Sequence, residues 1–118
     1  MADNQLVSLS KSFAVAIINM TDALWDRRKA TAIINQLLRS GTGIGANIHE
    51  GNYAVSRADF INKFQIALKE CYETEYWLEI MHEAAILTDE EYQDLYAQCS
   101  KIRRMLIASI NTARNHKE

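Results

Sequence analysis

The side chains of this chain that could bind a metal or carry out catalysis are a few acids, histidines and cysteines. Glu79 and His82 have the Glu-x-x-His spacing of metal sites in helical bundles, because residues three apart share one helix face. Such a site needs a second pair of this kind, yet neither His49 nor His116 follows a glutamate by three positions. We therefore predict no metal site and no cofactor, and we place His82 at the surface near a helix end.

The two cysteines, Cys71 and Cys99, both fall at apolar positions of helical patterns. Neither has a histidine nearby in the sequence that could activate it as a nucleophile. Two cysteines do not make a disulfide scaffold, so we predict buried, reduced thiols, with one bridge between the third and fourth helices as the alternative. The sequence offers no catalytic residue, and we expect a protein that is not an enzyme and has no evident small-molecule substrate.

All four glycines lie in one segment, at positions 41, 43, 45 and 51. Their spacing does not match the phosphate-binding pattern G-x-G-x-x-G, and no strand precedes them. The surrounding apolar residues keep the phase of a helix, although each internal glycine costs about 0.8–1 kcal/mol relative to alanine. We predict that Gly41 and Gly45, one turn apart, let another helix approach closely and so offset that cost. A loop is the alternative.

The remaining sequence explains how these residues are positioned. Apolar residues recur at intervals of three and four, as in amphipathic helices, and the predicted helices span about residues 6–28, 30–53, 57–85 and 89–114. Ser56 and Thr88, each followed three residues later by an acid, have the pattern of helix-capping residues. Because the connections are short, neighbouring helices should be antiparallel. We predict an all-α fold, a single antiparallel up-and-down four-helix bundle over residues 1–118, with left-handed packing.

Charged and polar residues accompany the glycine segment. Arg39, Asn47 and Glu50 lie on the second helix, and Glu70 and Glu75 lie beside the apolar seam of the third. A partly buried arginine among carboxylates forms charge-assisted, bidentate hydrogen bonds. We predict that these five residues form a polar network between helices that sets their register. The alternative is that they point into water.

The third helix has a second apolar edge beside its seam, and a helix of this kind usually packs against more than one surface. Tryptophan and tyrosine are favoured at interfaces because they combine a large apolar area with a polar atom. We therefore predict a homo-oligomer, with a candidate interface made of Trp25, Tyr76, Trp77 and Ile80. The alternative is a monomer whose aromatic residues close its own core.

The formal net charge is −2, so bulk charge does not predict nucleic-acid binding. The distribution is uneven: residues 70–94 contain nine acids and no Lys or Arg, and residues 101–117 contain five basic residues and no acid. In an up-and-down bundle the basic residues would gather towards one end, giving a weak candidate nucleic-acid surface. Its members are Lys11, Arg57, Lys63, Arg103, Arg104, Arg114 and Lys117.

The start of the chain lacks the pattern of a signal peptide, and no stretch is apolar enough to span a membrane. We therefore expect a cytoplasmic protein.

Two segments resemble the signatures of a known family. They are LLRSGTGIGANIHE at residues 37–50 and DFINKFQIALKECYETEYWL at residues 59–78. Together with Ser12-Phe13-Ala14-Val15 and the Leu87-Thr88 turn, they resemble the family called four helix bundle protein, or 23S rRNA-intervening sequence protein. The resemblance covers nearly the whole chain.

This resemblance implies a bacterial, cytoplasmic protein with a left-handed up-and-down bundle. It also implies assembly into a homopentameric ring. Some members are encoded within large-subunit ribosomal RNA genes, and the family has no established catalytic residues. A more distant relative with the same ring has a basic surface and serves a reverse transcriptase, whereas the present chain is mildly acidic.

Overall fold

Four α-helices make up the part of the chain that the structure, a computed structural model, describes: residues 4–27 and 30–115. They are α1 (Asn4–Arg27), α2 (Thr31–Asn52), α3 (Arg57–Glu83) and α4 (Asp89–Asn115). Each helix packs against the next and α4 packs against α1. Within the described residues, no Cα atom of α1 lies within 8 Å of one in α3, and the same holds for α2 and α4. The helices therefore stand at the corners of a square, and the predicted all-α four-helix bundle is confirmed.

The core lies along the axis of the bundle and is built from one apolar stripe per helix. Its largest fully buried side chains include Phe13, Ile17, Phe64 and Leu78, which recur at helical spacing on their own helices. None of the described helices is both long enough and apolar enough to cross a membrane.

The predicted capping residues, Ser56 and Thr88, directly precede α3 and α4. Ser56 Oγ accepts a hydrogen bond from the Asp59 backbone N–H at 3.1 Å. Thr88 Oγ1 accepts from the Glu91 N–H at 3.1 Å, and Glu91 Oε1 accepts in return from the Thr88 N–H at 3.0 Å. These reciprocal bonds satisfy N–H groups that have no partner within the helix.

The end of α3 differs from the prediction. The helix was expected to continue to residue 85, but it ends at Glu83, and Ala85 adopts a left-handed conformation with φ = 61°. The N–H groups of Ile86 and Leu87 both donate to Met81 O, at 2.8 and 3.2 Å. This turn directs Ile86 and Leu87 into the core, where they are 8% and 3% exposed. Their burial explains the early stop, which no glycine marks in the sequence.

The glycine segment is a continuous part of α2 rather than a loop. A Cβ added at Gly41 would lie 2.9 Å from Ile17 Cγ1, and one at Gly45 would lie 3.4 Å from Ser10 O, so both glycines face α1. On the neighbouring face of α2, the buried hydroxyl of Thr74 in α3 donates to Ser40 Oγ at 2.9 Å. The small residues of α2 therefore let both neighbouring helices approach closely.

Candidate interaction surfaces

One polar cluster lies on the outer edge between α2 and α3. Arg39 Nη1 donates to Glu70 Oε1 at 3.4 Å, and Arg39 Nη2 donates to Glu73 and, at 3.0 Å, to Gln36. Glu73 also accepts a hydrogen bond from Trp77 Nε1 at 3.1 Å. Burial raises the pKa of Glu70, although the nearby Arg39 guanidinium acts to lower it. The Arg39 side chain is 52% exposed, so this cluster lies on the surface rather than in the core.

Glu75 belongs to a different cluster, between α3 and α4. Its carboxylate accepts from Arg103 Nε at 2.8 Å and from Ser100 Oγ at 3.3 Å. The side chains of Glu75 and Arg103 are 8% and 24% exposed, so this ion pair is largely buried. The hydrogen bond to Glu75 raises the pKa of Arg103. The guanidinium also lies over the Tyr72 ring, 5.6 Å from its centroid.

The prediction of one network joining Arg39, Asn47, Glu50, Glu70 and Glu75 was therefore wrong. Asn47 Nδ2 donates to Gly43 O of its own helix at 2.8 Å, and Glu50 pairs with Lys63 at 3.2 Å. Only Arg39 and Glu70 meet as expected. The reason is geometric: residues five apart lie about 140° apart around a helix, so Glu70 and Glu75 cannot face the same neighbour. Glu73, Ser40 and Ser100 were missed, although each lies close to the seam of its helix.

Glu79 and His82 each interact with other side chains of the protein. Tyr96 Oη donates to Glu79 at 3.2 Å, while His82 Nε2 lies 2.5 Å from Asp89 Oδ1 and its ring stacks on Tyr92 at 4.3 Å. Within the described residues no group of three or more His, Cys, Asp or Glu side chains could hold a metal ion. Burial, with the nearby Glu75 and Glu79, raises the pKa of Tyr96 to about 12.

Cys71 and Cys99 are free and buried. Cys99 Sγ donates to Cys71 O at 3.6 Å, across the contact between α3 and α4. A hydrogen bond with Cys99 and burial raise the pKa of the Cys71 thiol. Both effects disfavour the Cys71 thiolate, so Cys71 lacks the surroundings of a nucleophile.

Large apolar side chains are exposed on two opposite helices. On α3, Tyr72 and Tyr76 are 51% and 55% exposed, beside the half-buried Trp77 and Ile80; we call these four residues the α3 patch. On α1, the exposed fractions of Val15, Ile18 and Trp25 are 55%, 49% and 42%; we call these three the α1 patch. The structure thus separates Trp25 from the other three predicted interface residues. Val15 and Ile18 were missed because α1 was interpreted only through its core stripe.

The predicted basic surface is smaller than expected. Lys63 is engaged by Glu50, and Arg103 lies near the middle of the bundle, bound to Glu75. Lys11, Arg57, Arg104 and Arg114 are exposed, and Lys117 lies outside the described residues. The connection between α2 and α3, residues 53–56, is here called the α2–α3 turn. The helix directions place Lys11, Arg57 and Arg114 at the end of the bundle that carries this turn.

The α2–α3 turn itself is apolar at its surface. Tyr53 is 75% exposed and Val55 is 93% exposed, and the Tyr53 ring lies 5.2 Å from the ring of His49.

Comparison with known proteins then identifies the family. A scan against protein families matches residues 2–108 to the family described as 23S rRNA-intervening sequence protein. The chain belongs to this family. It is also similar to a solved structure, a protein with unknown function from the S23 ribosomal protein family of Bacteroides thetaiotaomicron VPI-5482. The TM-score is 0.89 and the sequence identity 45%, over 95% of this chain and 100% of that one. No curated protein matches the chain.

Membership in the 23S rRNA-intervening sequence protein family agrees with the resemblance seen in the sequence. The similarity to the solved structure also agrees with the four-helix bundle described above. Neither match is described by an enzymatic activity.

Proposed function

We propose that this chain is a non-enzymatic, self-assembling helical bundle that acts as a homo-oligomeric scaffold or accessory protein in the bacterial cytoplasm. The observation that carries the proposal is the α3 patch. Tyr72 and Tyr76 remain half exposed although the core of the bundle is already closed beneath them by Cys71 and Leu78. A soluble protein rarely leaves several large aromatic side chains together on one helix face unless that face binds a partner.

Sedimentation velocity at micromolar concentration tests this proposal. The native chain should sediment as a homo-oligomer, for which the family resemblance implies five copies. Tyr76→Glu places a charge within the α3 patch and should shift the protein to the monomer. Gln93→Glu, an equal change of charge at an exposed position of α4, is the matched control and should leave assembly intact. A native chain that is monomeric at these concentrations would rule the proposal out.

Binding of single-stranded nucleic acid is a second candidate function, favoured by the exposed α2–α3 turn. Tyr53 offers an aromatic face on which a base could stack, and Lys11, Arg57 and Arg114 lie at the same end of the bundle. Stacking on aromatic side chains combined with a positively charged surface is how many proteins bind single strands without sequence preference. In a ring of parallel bundles this modest charge would be repeated once per copy.

Fluorescence anisotropy with a labelled single-stranded RNA of about 20 nucleotides tests the second candidate. Tyr53→Ala and Arg114→Glu should each weaken binding, and affinity should fall steeply between about 50 and 200 mM salt because phosphate contacts release counterions. Lys101→Glu is the control, since it lies about 20 Å from Arg114 along α4. Absence of binding at about 50 mM salt would exclude this function.

A further inference from the structure

A groove runs along the contact between α1 and α2. Its volume is about 260 Å³, and it lies where Gly45 of α2 comes close to Ser10 of α1. Ala14 and Ala46 also line it. Because these residues have small side chains or none, the two helices leave a slot that no side chain of the described residues fills. We call it the α1–α2 groove.

The residues that line the α1–α2 groove suit a flat, uncharged ring. Val7 and Ile48 supply apolar surface, and Thr42 and His49 supply polar atoms. Sites for organic ligands are typically apolar with a few polar groups, and those for drug-sized ligands measure about 300–1,000 Å³. The groove is slightly smaller, so its size matches one ring system, such as a nucleobase, better than a larger ligand.

The charges near the α1–α2 groove favour an anionic ligand. Among the described residues that line it, Lys11 carries the only full charge at pH 7, and Lys11 is exposed. Residues 4–21 of α1 contain no acid. The one acid of α2, Glu50, is paired with Lys63 of α3 at 3.2 Å. A phosphate group beside the groove would therefore meet a cation, with little competition from the carboxylates of these two helices.

An aromatic pair extends from the α1–α2 groove towards the α2–α3 turn. His49 lines the groove, and the ring of Tyr53, about one helical turn further along the chain, lies 5.2 Å from the His49 ring. Tyr53 is 75% exposed, so a base can reach its ring from the solvent. Aromatic side chains beside a positive charge are the usual means of binding single strands. The groove and Tyr53 therefore offer neighbouring places for two bases of one strand.

We propose that the α1–α2 groove binds one unstacked base of a single-stranded nucleic acid, with the adjoining phosphate at Lys11 and a neighbouring base on Tyr53. This inference rests on the nucleic-acid binding given above as the second candidate function, and it specifies where one nucleotide binds. Bases in a double helix are stacked and paired, so they cannot enter the groove. Single-stranded RNA should therefore bind more tightly than double-stranded RNA of the same length.

Filling the groove tests the proposal by fluorescence anisotropy with a labelled single-stranded RNA of about 20 nucleotides. Ala46→Leu places a larger side chain in the groove and should weaken binding about tenfold, the effect of losing one bound base. Ala32→Leu makes the same change at an exposed position of α2 outside the groove, so it is the matched control and should bind as the native chain does.

A second variant separates binding from folding. Lys11 is exposed, so Lys11→Gln should leave the thermal unfolding midpoint unchanged. It should nevertheless weaken binding and reduce the slope of log affinity against log salt concentration by about 1, as expected for the loss of one phosphate contact. An unchanged salt slope in Lys11→Gln would contradict the placement of a phosphate at Lys11.

Backbone amide signals of the glycines locate the bound RNA directly. Gly45 lines the groove, whereas Gly43 of the same helix lies against Glu70 of α3. In an NMR titration of the ¹⁵N-labelled native chain, the RNA should shift the Gly45 signal and leave the Gly43 signal in place. Binding that leaves the Gly45 signal unshifted would overturn the inference without any substitution.

Other outcomes separate the possible failures. If the native chain binds the RNA and Ala46→Leu binds it equally tightly, the groove holds no base; the inference is then overturned, while nucleic-acid binding through Tyr53 stands. Equal affinity for single-stranded and double-stranded RNA would also overturn the inference. If the native chain does not bind the RNA at about 50 mM salt, both the inference and the second candidate function fail.

Discussion

Gly41 and Gly45 share a face of α2 but differ in the room available to a side chain. A Cβ at Gly41 would lie 2.9 and 3.0 Å from two carbons of Ile17, closer than carbon atoms can pack. Ile17 is β-branched and fully buried, so its side chain has little freedom to move away. At Gly45 the nearest atom is 3.4 Å away, which is an ordinary contact. The two glycines therefore have different roles in the same helix.

This difference predicts opposite effects of alanine on stability. Gly41→Ala should lower the free energy of unfolding by about 1–2 kcal/mol, because overpacking costs about 1–3 kcal/mol and exceeds the gain in helix propensity. Gly45→Ala should raise it by about 0.5–1 kcal/mol, since propensity then acts alone. Urea denaturation of the two variants measures both. Stabilisation by Gly41→Ala would show that α1 can move away at little cost.

Ala85 is held in a left-handed conformation that a side chain disfavours. Its φ of 61° is required by the turn that buries Ile86 and Leu87. Ala85→Gly should stabilise the protein by about 0.5–1 kcal/mol, because glycine adopts this region without strain. Ala84→Gly is the control: Ala84 has φ = −82°, so glycine there should be neutral or destabilising. Thermal unfolding distinguishes the two, and equal shifts for both would contradict the strain argument.

Tyr96 gives the protein a dependence on alkaline pH. Its pKa is raised to about 12 by burial and by Glu75 and Glu79, whereas an unfolded tyrosine ionises near pH 10. The unfolded state therefore loses its proton first, and this contribution to stability, complete below about pH 10, is lost as pH rises towards 12. Tyr96→Phe should make the free energy of unfolding fall less steeply between about pH 10 and 12. Parallel urea curves at several pH values test this, and an unchanged slope would contradict it.

Contacts between neighbouring helices differ in kind from one pair to the next. The α1–α2 contact depends on small residues, whereas α3 and α4 are joined by the buried pair of Glu75 and Arg103 and by the hydrogen bond from Tyr96 to Glu79. The α2–α3 edge has the exposed cluster around Arg39. The charged groups in the α3–α4 contact are largely shielded from water. Removing one member of the ion pair therefore leaves the other buried without an opposite charge.

These contacts predict that the buried and the exposed ion pair differ widely in their contribution to the free energy of unfolding. Arg103→Ala should destabilise the protein by about 2 kcal/mol, because it leaves the largely buried side chain of Glu75 without its partner. This loss is smaller than for a fully buried pair, since Arg103 is itself partly exposed. Arg39→Ala should cost no more than about 1 kcal/mol, as exposed pairs do. A double-mutant cycle with Glu75→Ala isolates the coupling in the first pair. If the two arginine variants lost equal amounts of unfolding free energy, burial would not determine how much each ion pair contributes to stability.

The sequence predicts elements better than it predicts which elements meet at a given side chain. Ser56 and Thr88 mark their helix starts because capping is local, and the apolar seams mark the buried faces. Glu75 was assigned to the wrong neighbour because the pattern gives the direction of a side chain only relative to its own helix. Which of α2 and α4 lies on that side depends on how the bundle is wound. The end of α3 at Glu83 was missed for a similar reason, since the burial of Ile86 and Leu87 is a tertiary effect.

At the scale of the molecule, the proposed self-assembly can be tested through the dependence of stability on protein concentration. A monomer would unfold at a temperature independent of its concentration, whereas an assembly that must dissociate on unfolding is stabilised by mass action. Each tenfold dilution removes about 1.4 kcal/mol from each association step. For a domain of this size that corresponds to a fall of several degrees in the midpoint of thermal unfolding.

We therefore expect the unfolding midpoint of the native chain to fall as the protein is diluted from about 100 to 1 µM. Tyr76→Glu should show a lower midpoint that does not depend on concentration, because it places a charge in the α3 patch, on which the proposed assembly rests. Gln93→Glu should follow the native chain. Differential scanning fluorimetry at three concentrations suffices. A native midpoint that is independent of concentration would mean that the exposed patches on α1 and α3 do not stabilise an assembly, and that the bundle is stable through its own core alone.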